Sequence, residues 1–187
     1  AKVETRGFDV HKSTKGRKRH ILVDTLGLIL AVVITAANVT DRDGALSIFD
    51  KIHDHFPLLK VIRADQAYSG AEYTSTVRRT YHRQLEIIKR EKGSKGFQGL
   101  PGRWVVERTF GWLNHFRRLS KDYERHPQTS ENFIYVAMIS IMLRRLAWKG
   151  AFKTPSYSDP FDENNWLAFE CREFGVEWGL IWRIFYP

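Results

Sequence analysis

Two stretches of this chain are apolar at most positions and rich in branched side chains: residues 28–36 (Leu-Ile-Leu-Ala-Val-Val-Ile-Thr-Ala) and residues 58–64 (Leu-Leu-Lys-Val-Ile-Arg-Ala). Branching at Cβ favours extended backbone, and successive side chains of a strand face opposite ways. A strand without polar alternation must be covered on both faces, which points to a sheet between helical layers. Residues 20–24 (His-Ile-Leu-Val-Asp) precede the first run across the turn Thr25-Leu26-Gly27, so the two are expected to form a hairpin.

The rest of the pattern fills in the layers. After a loop over residues 38–44, a helix is expected from Ala45, because Ile48, Phe49 and Ile52 keep helical spacing. A second helix is expected over residues 71–81, and a short strand over residues 85–89. Residues 92–102 hold four glycines and read as a mobile loop. A helix follows from Arg103. A last one spans residues 130–146, with apolar residues all round it from 133 to 143, so it is expected to be packed inside. The alternation predicts an α/β fold with a mixed sheet. At 187 residues the chain is one domain, or one domain plus an appendage.

Charge narrows the partner. The formal net charge is +9, and it is uneven: residues 148–187 carry four Lys/Arg against six Asp/Glu, which leaves +11 on residues 1–147. Cations cluster at 15–19, 78–95 and 103–125. A charge run is ordinarily a solvated face, but three runs on one strongly basic body suggest a surface for nucleic-acid phosphates. The candidate contacts are Lys15, Arg17, Lys18, Arg19, Arg108, Arg117, Arg118 and Lys121. The single cysteine, Cys171, excludes an internal disulfide framework and a cysteine-rich zinc site, and fits a reducing cytoplasm. The longest apolar run is shorter than the roughly 20 residues a membrane span needs. No phosphate-binding glycine loop or nucleophile elbow is present, and no small-molecule substrate is expected.

Two acids stand out. Asp65 follows a hydrophobic strand, where ligands of α/β sheets collect, although Asp also ends strands simply by capping the next turn. Glu107 lies in the helix after Pro101-Gly102, whose Val105, Val106, Thr109, Trp112, Leu113 and Phe116 form an apolar stripe. Glu107 shares another face with Arg103, Phe110/Gly111 and Asn114. A lone carboxylate among cations is either a solvated ion pair or a metal ligand placed where a polyanion docks. Two such acids in basic surroundings suit a divalent metal for phosphoryl transfer. Trp104, Trp112 and Phe116 are read as core more than as base-stacking groups.

Four blocks in order carry a resemblance: Lys15-Gly-Arg-Lys-Arg-His-Ile-Leu-Val-Asp24, Ala37-Asn-Val-Thr-Asp-Arg-Asp-Gly-Ala45, Ala64-Asp-Gln-Ala-Tyr68 and Arg103-Trp-Val-Val-Glu-Arg-Thr-Phe-Gly-Trp-Leu113. Residues 1–147 resemble the DDE transposases of small bacterial insertion sequences, nearest to the five-type group of the four-type superfamily. The resemblance implies a ribonuclease-H-like mixed sheet flanked by helices and an Asp, Asp, Glu triad holding Mg2+ or Mn2+. It also implies cleavage and joining of double-stranded DNA at element ends. By position, Asp65 matches the second acid, Glu107 the third, and Arg103 an arginine one helical turn before that glutamate.

The departures from the family are as specific. The family's first aspartate lies on the first strand, just before the position of Ala1, so the sheet is expected to lack that strand and expose an edge. Asp9 and Asp24 are the nearest stand-ins, yet both match non-catalytic positions. Leu100 and Asn114 stand where the wider superfamily often has tyrosine and a basic residue. Residues 148–187, aromatic-rich and acidic, resemble nothing in the family and are read as a divergent tail. The alternatives are thus a DNA-cleaving transposase and a catalytically dead DNA-binding remnant. Both are placed in the bacterial cytoplasm at the nucleoid, with a homodimer left open.

Overall fold

A computed structural model describes residues 6–10, 13–88, 103–150 and 177–186; residues 103, 148–150 and 177–186 are described through their backbone. Three strands open the chain: β1 (Gly7–Asp9), β2 (Thr14–Val23) and β3 (Ile29–Ala36). Helix α1 (Asp41–Ile52), strand β4 (Leu59–Ala64), a 3-10 turn (Gln66–Tyr68), helix α2 (Ala71–Tyr81) and strand β5 (Gln84–Ile87) follow. Helix α3 (Arg103–Asn114), a 3-10 turn (Arg117–Leu119), helix α4 (Pro127–Gly150) and strand β6 (Glu177–Tyr186) complete the described elements. The expected loop over residues 92–102 lies outside the described residues.

The sheet is mixed, in the order β3-β2-β6-β4-β5, and β1 pairs with the start of β2. Strand β2 shows why an apolar run needed two covers. Ile21 and Val23 enter one core with Val105, Val106, Phe110 and Leu113 of α3 and Ile134 of α4. Leu22, between them, enters the other core with Ile48 and Phe49 of α1 and Val77 of α2. The sheet is thus sandwiched, α1 and α2 on one face and α3 and α4 on the other. Every member of the expected α3 stripe is buried except Phe116, which packs partly against the same core.

Four expectations change. Helix α1 starts at Asp41, not Ala45, because the Thr40 hydroxyl accepts the Asp43 amide N–H at 3.2 Å and two acids favour the first turn. Strand β2 starts at Thr14, six residues early, so it takes up the basic run. Helix α4 is not enclosed: Ile134, Ala137 and Met138 are buried, but Val136, Ile139, Leu143 and Leu146 are each more than half exposed, since α4 meets the core along one side. The expected open edge is also absent, because β6 pairs with both β2 and β4.

The β2–β3 turn fixes how α3 docks. Gly27 has φ +81°, a conformation that disfavours a side chain, and a Cβ there would lie 2.7 Å from Thr109 Oγ1 and 3.0 Å from Trp112. The Thr109 hydroxyl donates to the Gly27 carbonyl at 2.9 Å. Gly27→Ala adds backbone strain of about 1–3 kcal/mol to that overlap. We expect a fall in the urea midpoint at unchanged slope, measured by circular dichroism.

Candidate nucleic-acid interface and its acids

Asp65 sits where β4 ends, in extended backbone, and one carboxylate oxygen accepts the Ala67 amide N–H at 3.0 Å. The capping role is therefore real, and it fixes the carboxylate at the carboxyl end of the sheet. Glu107 lies on the exposed side of α3 together with Gly111 and Asn114, whereas Phe110 is buried. Helix α3 is held on the hairpin by Thr109 and by Arg108, which donates to the Leu26 carbonyl at 2.9 Å and lies 4.4 and 4.6 Å from the ring centres of Trp104 and Trp112. The helix also contacts β6, the strand beside β4. Asp65 thus ends a strand of the sheet, and Glu107 lies on a helix that packs on that sheet. The Arg103 backbone opens α3; its side chain lies outside the described residues.

The stand-in aspartates have structural work. Asp9 is buried and pairs with Lys18 at 3.2 Å. Asp24 accepts the amides of Leu26 and Leu28 at 2.9 and 2.7 Å and so ties the hairpin turn. Burial raises the Asp24 pKa above its ordinary 3.8, against those amides and the nearby Arg145.

The reading of residues 15–19 as an accessible basic arm needs correction. Only Lys15 is exposed; Arg17, Lys18 and Arg19 are 2%, 5% and 2% exposed. Arg17 donates to the Asp122 carboxylate and the Glu124 carbonyl, both at 3.0 Å, and to the Arg125 carbonyl at 2.7 Å. Arg19 donates to the carbonyls of Leu119 and Lys121 at 2.9 and 3.3 Å. Lys18 bonds Val39 O at 2.9 Å and also faces Asp41. These cations cannot reach a phosphate. They pin the segment 119–125 by its backbone, which leaves Arg117, Lys121 and Arg125 exposed; Arg118 is exposed too but pairs with Glu124 at 2.7 Å. Beside it, Arg6, Arg17, Tyr123, Glu124 and Arg125 line an open pocket of about 360 Å³. Sequence reasoning missed Asp122, Tyr123 and Arg125. No local signal marks them, because the basic run Thr14–His20 is polar throughout and shows no strand alternation.

Comparison with known proteins now bears on the acids. The family described as "Transposase DDE domain" matches residues 2–142. The chain belongs to this family. A Burkholderia cepacia protein named as a transposase for insertion sequence element IS402 is 34% identical over 132 residues, covering 66% of this chain. The match spans 61% of that relative's own length. No solved structure matches.

A DDE transposase domain is expected to hold divalent metal on carboxylates, so the donors present can be tested against that. Magnesium takes oxygen ligands in near-octahedral array, commonly one or two carboxylates with waters and substrate phosphates. Among the described residues, no group of three or more His, Cys, Asp or Glu side chains is gathered to hold a metal. Asp65 already spends one oxygen on its own turn. The described residues therefore do not complete a three-acid site.

Two measurements check this account of the residues. Asp122→Ala strips the buried Arg17 of its carboxylate, and breaking a buried pair costs about 3–5 kcal/mol; urea unfolding should register a loss of that order. Asp24 is more readily protonated in the fold than in the unfolded chain, so stability falls as pH rises past 3.8. Asp24→Asn removes that titration, and its thermal midpoint should gain on wild type as pH rises past 3.8.

Proposed function

We propose that this chain is the DNA-handling body of a transposase and, by itself, binds duplex DNA through phosphates without cutting it. The observation that carries the reading is the segment 119–125, whose backbone is pinned by Arg17 and Arg19 while Lys121 and Arg125, with Arg117 just before it, stay exposed. A pinned cationic strip meets a phosphate row at lower entropic cost than a free arm; Lys15 is a further exposed cation, whereas Arg108 is engaged with the Leu26 carbonyl and two tryptophans. Its contacts would be sequence-independent and strongly salt-dependent.

Family membership supports a second reading, strand cleavage and transfer at insertion-sequence ends with magnesium or manganese. There Asp65 and Glu107 would be two of three metal-holding acids, with Arg103 a turn before Glu107 beside the DNA. That activity needs a third carboxylate, which the described residues do not bring to Asp65. We take it as the function of an assembly in which another segment supplies that acid. On this reading residues 1–147 are the catalytic-domain body and residues 148–187 a tail outside the family pattern. A homodimer would find an apolar surface on the outward side of α4, and the setting would be the bacterial cytoplasm at the nucleoid.

Fluorescence anisotropy with labelled duplex across a salt series tests the first reading. Lys121→Ala and Arg117→Ala should each reduce the salt slope by about 1, while Arg19→Ala should act through stability instead. Binding that ignores salt and these substitutions would sink it. Magnesium-dependent nicking of element-end DNA by this chain alone, abolished by Asp65→Asn and by Glu107→Gln, would favour the cutting enzyme.

A further inference from the structure

Buried Arg17 does more than anchor a segment: it brackets one exposed ring. Its guanidinium donates to the Asp122 carboxylate on one side of Tyr123 and to the Glu124 and Arg125 carbonyls on the other. The Tyr123 hydroxyl and Ser120 Oγ share a hydrogen bond of 3.2 Å, which ties down the far end of the side chain. The ring is nonetheless 56% exposed. A flat apolar face fixed in this way and left in water forgoes the stabilisation of burial, so it is suited to a ligand that covers it.

Tyr123 borders the open pocket of about 360 Å³ that Arg6, Arg17, Glu124 and Arg125 also line. The charge of Arg17 is met by Asp122 at 3.0 Å, and that of Glu124 by Arg118 at 2.7 Å. Arg6 and Arg125 are exposed, and they give the pocket its positive character. Its volume lies near the lower end of the roughly 300–1,000 Å³ typical of small-ligand pockets, far too small to admit a duplex. Cations for a phosphate and an aromatic face for a base are the two halves of single-strand recognition. Inside a duplex each base is stacked on its neighbours, so only an unpaired base has a face to offer Tyr123. The same pairing of ring and cation recurs alongside. Phe8 is 51% exposed and stands opposite the exposed Lys15 in the β1–β2 ladder, and Lys15 is two residues before Arg17, on the same face of β2.

We propose that this pocket takes one unpaired nucleotide at a frayed or overhanging DNA end: the base stacks on the Tyr123 ring, and Arg6 and Arg125 meet its phosphate. The proposal deepens the DNA-handling reading and rests on it. The cationic strip holds the duplex through its phosphates, and the pocket next to it distinguishes a paired terminal base from an unpaired one. Phe8 and Lys15 extend the site along the single strand.

Fluorescence anisotropy on the full chain tests this with a labelled blunt duplex, the same duplex carrying a short single-stranded overhang of either polarity, and that overhang made abasic. Stacking one base on an aromatic ring corresponds to about tenfold in affinity. Wild type should therefore prefer the overhang to the blunt and abasic forms by about that factor. Tyr123→Ala should erase the preference, and Tyr123→Phe, which keeps the ring but not its bond to Ser120, should retain it. Equal affinity of wild type for blunt and overhanging DNA overturns the proposal, as does a preference that survives either the abasic overhang or Tyr123→Ala. Should Tyr123→Ala fail to fold, the abasic comparison on wild type decides alone. Salt-dependent binding of the blunt duplex without any overhang preference refutes the pocket and leaves the strip standing. Base-dependent binding of the overhang with no affinity for the blunt duplex does the reverse, and no binding to any of these DNAs overturns both.

Discussion

The fold depends on burying three consecutive cations at the start of β2. Moving an ion out of water carries a penalty of several kcal/mol even after relaxation, so each charge must be met. Arg17 is met by Asp122 and two carbonyls, Lys18 by Asp9 and Asp41, and Arg19 by the carbonyls of Leu119 and Lys121. Those partners come from β1, from α1 and from the segment between α3 and α4. One strand thereby ties together parts of the chain about 100 residues apart. The same bonds anchor the turn-rich segment between α3 and α4.

This arrangement divides the basic residues into two populations. Arg17, Lys18 and Arg19 on β2 build the protein, whereas Lys15 and the cations on the segment they hold face solvent. Net charge does not distinguish the two, although both raise the potential that attracts a polyanion. A surface whose backbone is fixed from beneath loses little conformational freedom on meeting DNA, whereas a disordered arm loses much more. The burial of Arg17 and Arg19 thus bears on binding indirectly, through the geometry of Arg117, Lys121 and Arg125.

What was legible in the sequence was whatever a local period encodes. The alternating destinations of Ile21, Leu22 and Val23 and the α3 stripe follow from side-chain direction alone. Helix α2 lies where its spacing put it. What was not legible depended on partners far along the chain. The polar run Lys15–Arg19 looked solvated because nothing near it in sequence marks Asp122 as a partner. The outward side of α4 looked buried because hydropathy records composition, not which side meets a sheet. The start of α1 was a readable local signal, Thr40 with Asp43 three residues on, that apolar spacing alone overlooked. Of the two readings of Asp65, the turn cap is the one that its bond to the Ala67 amide shows.

Strand β6 shows that a sheet can be closed by a segment far along the chain. A central strand has to offer backbone donors and acceptors to both neighbours, and β6 offers them to β2 on one edge and to β4 on the other. The pairing is carried by the backbone, so no local period near β2 or β4 announces which segment will fill the place between them.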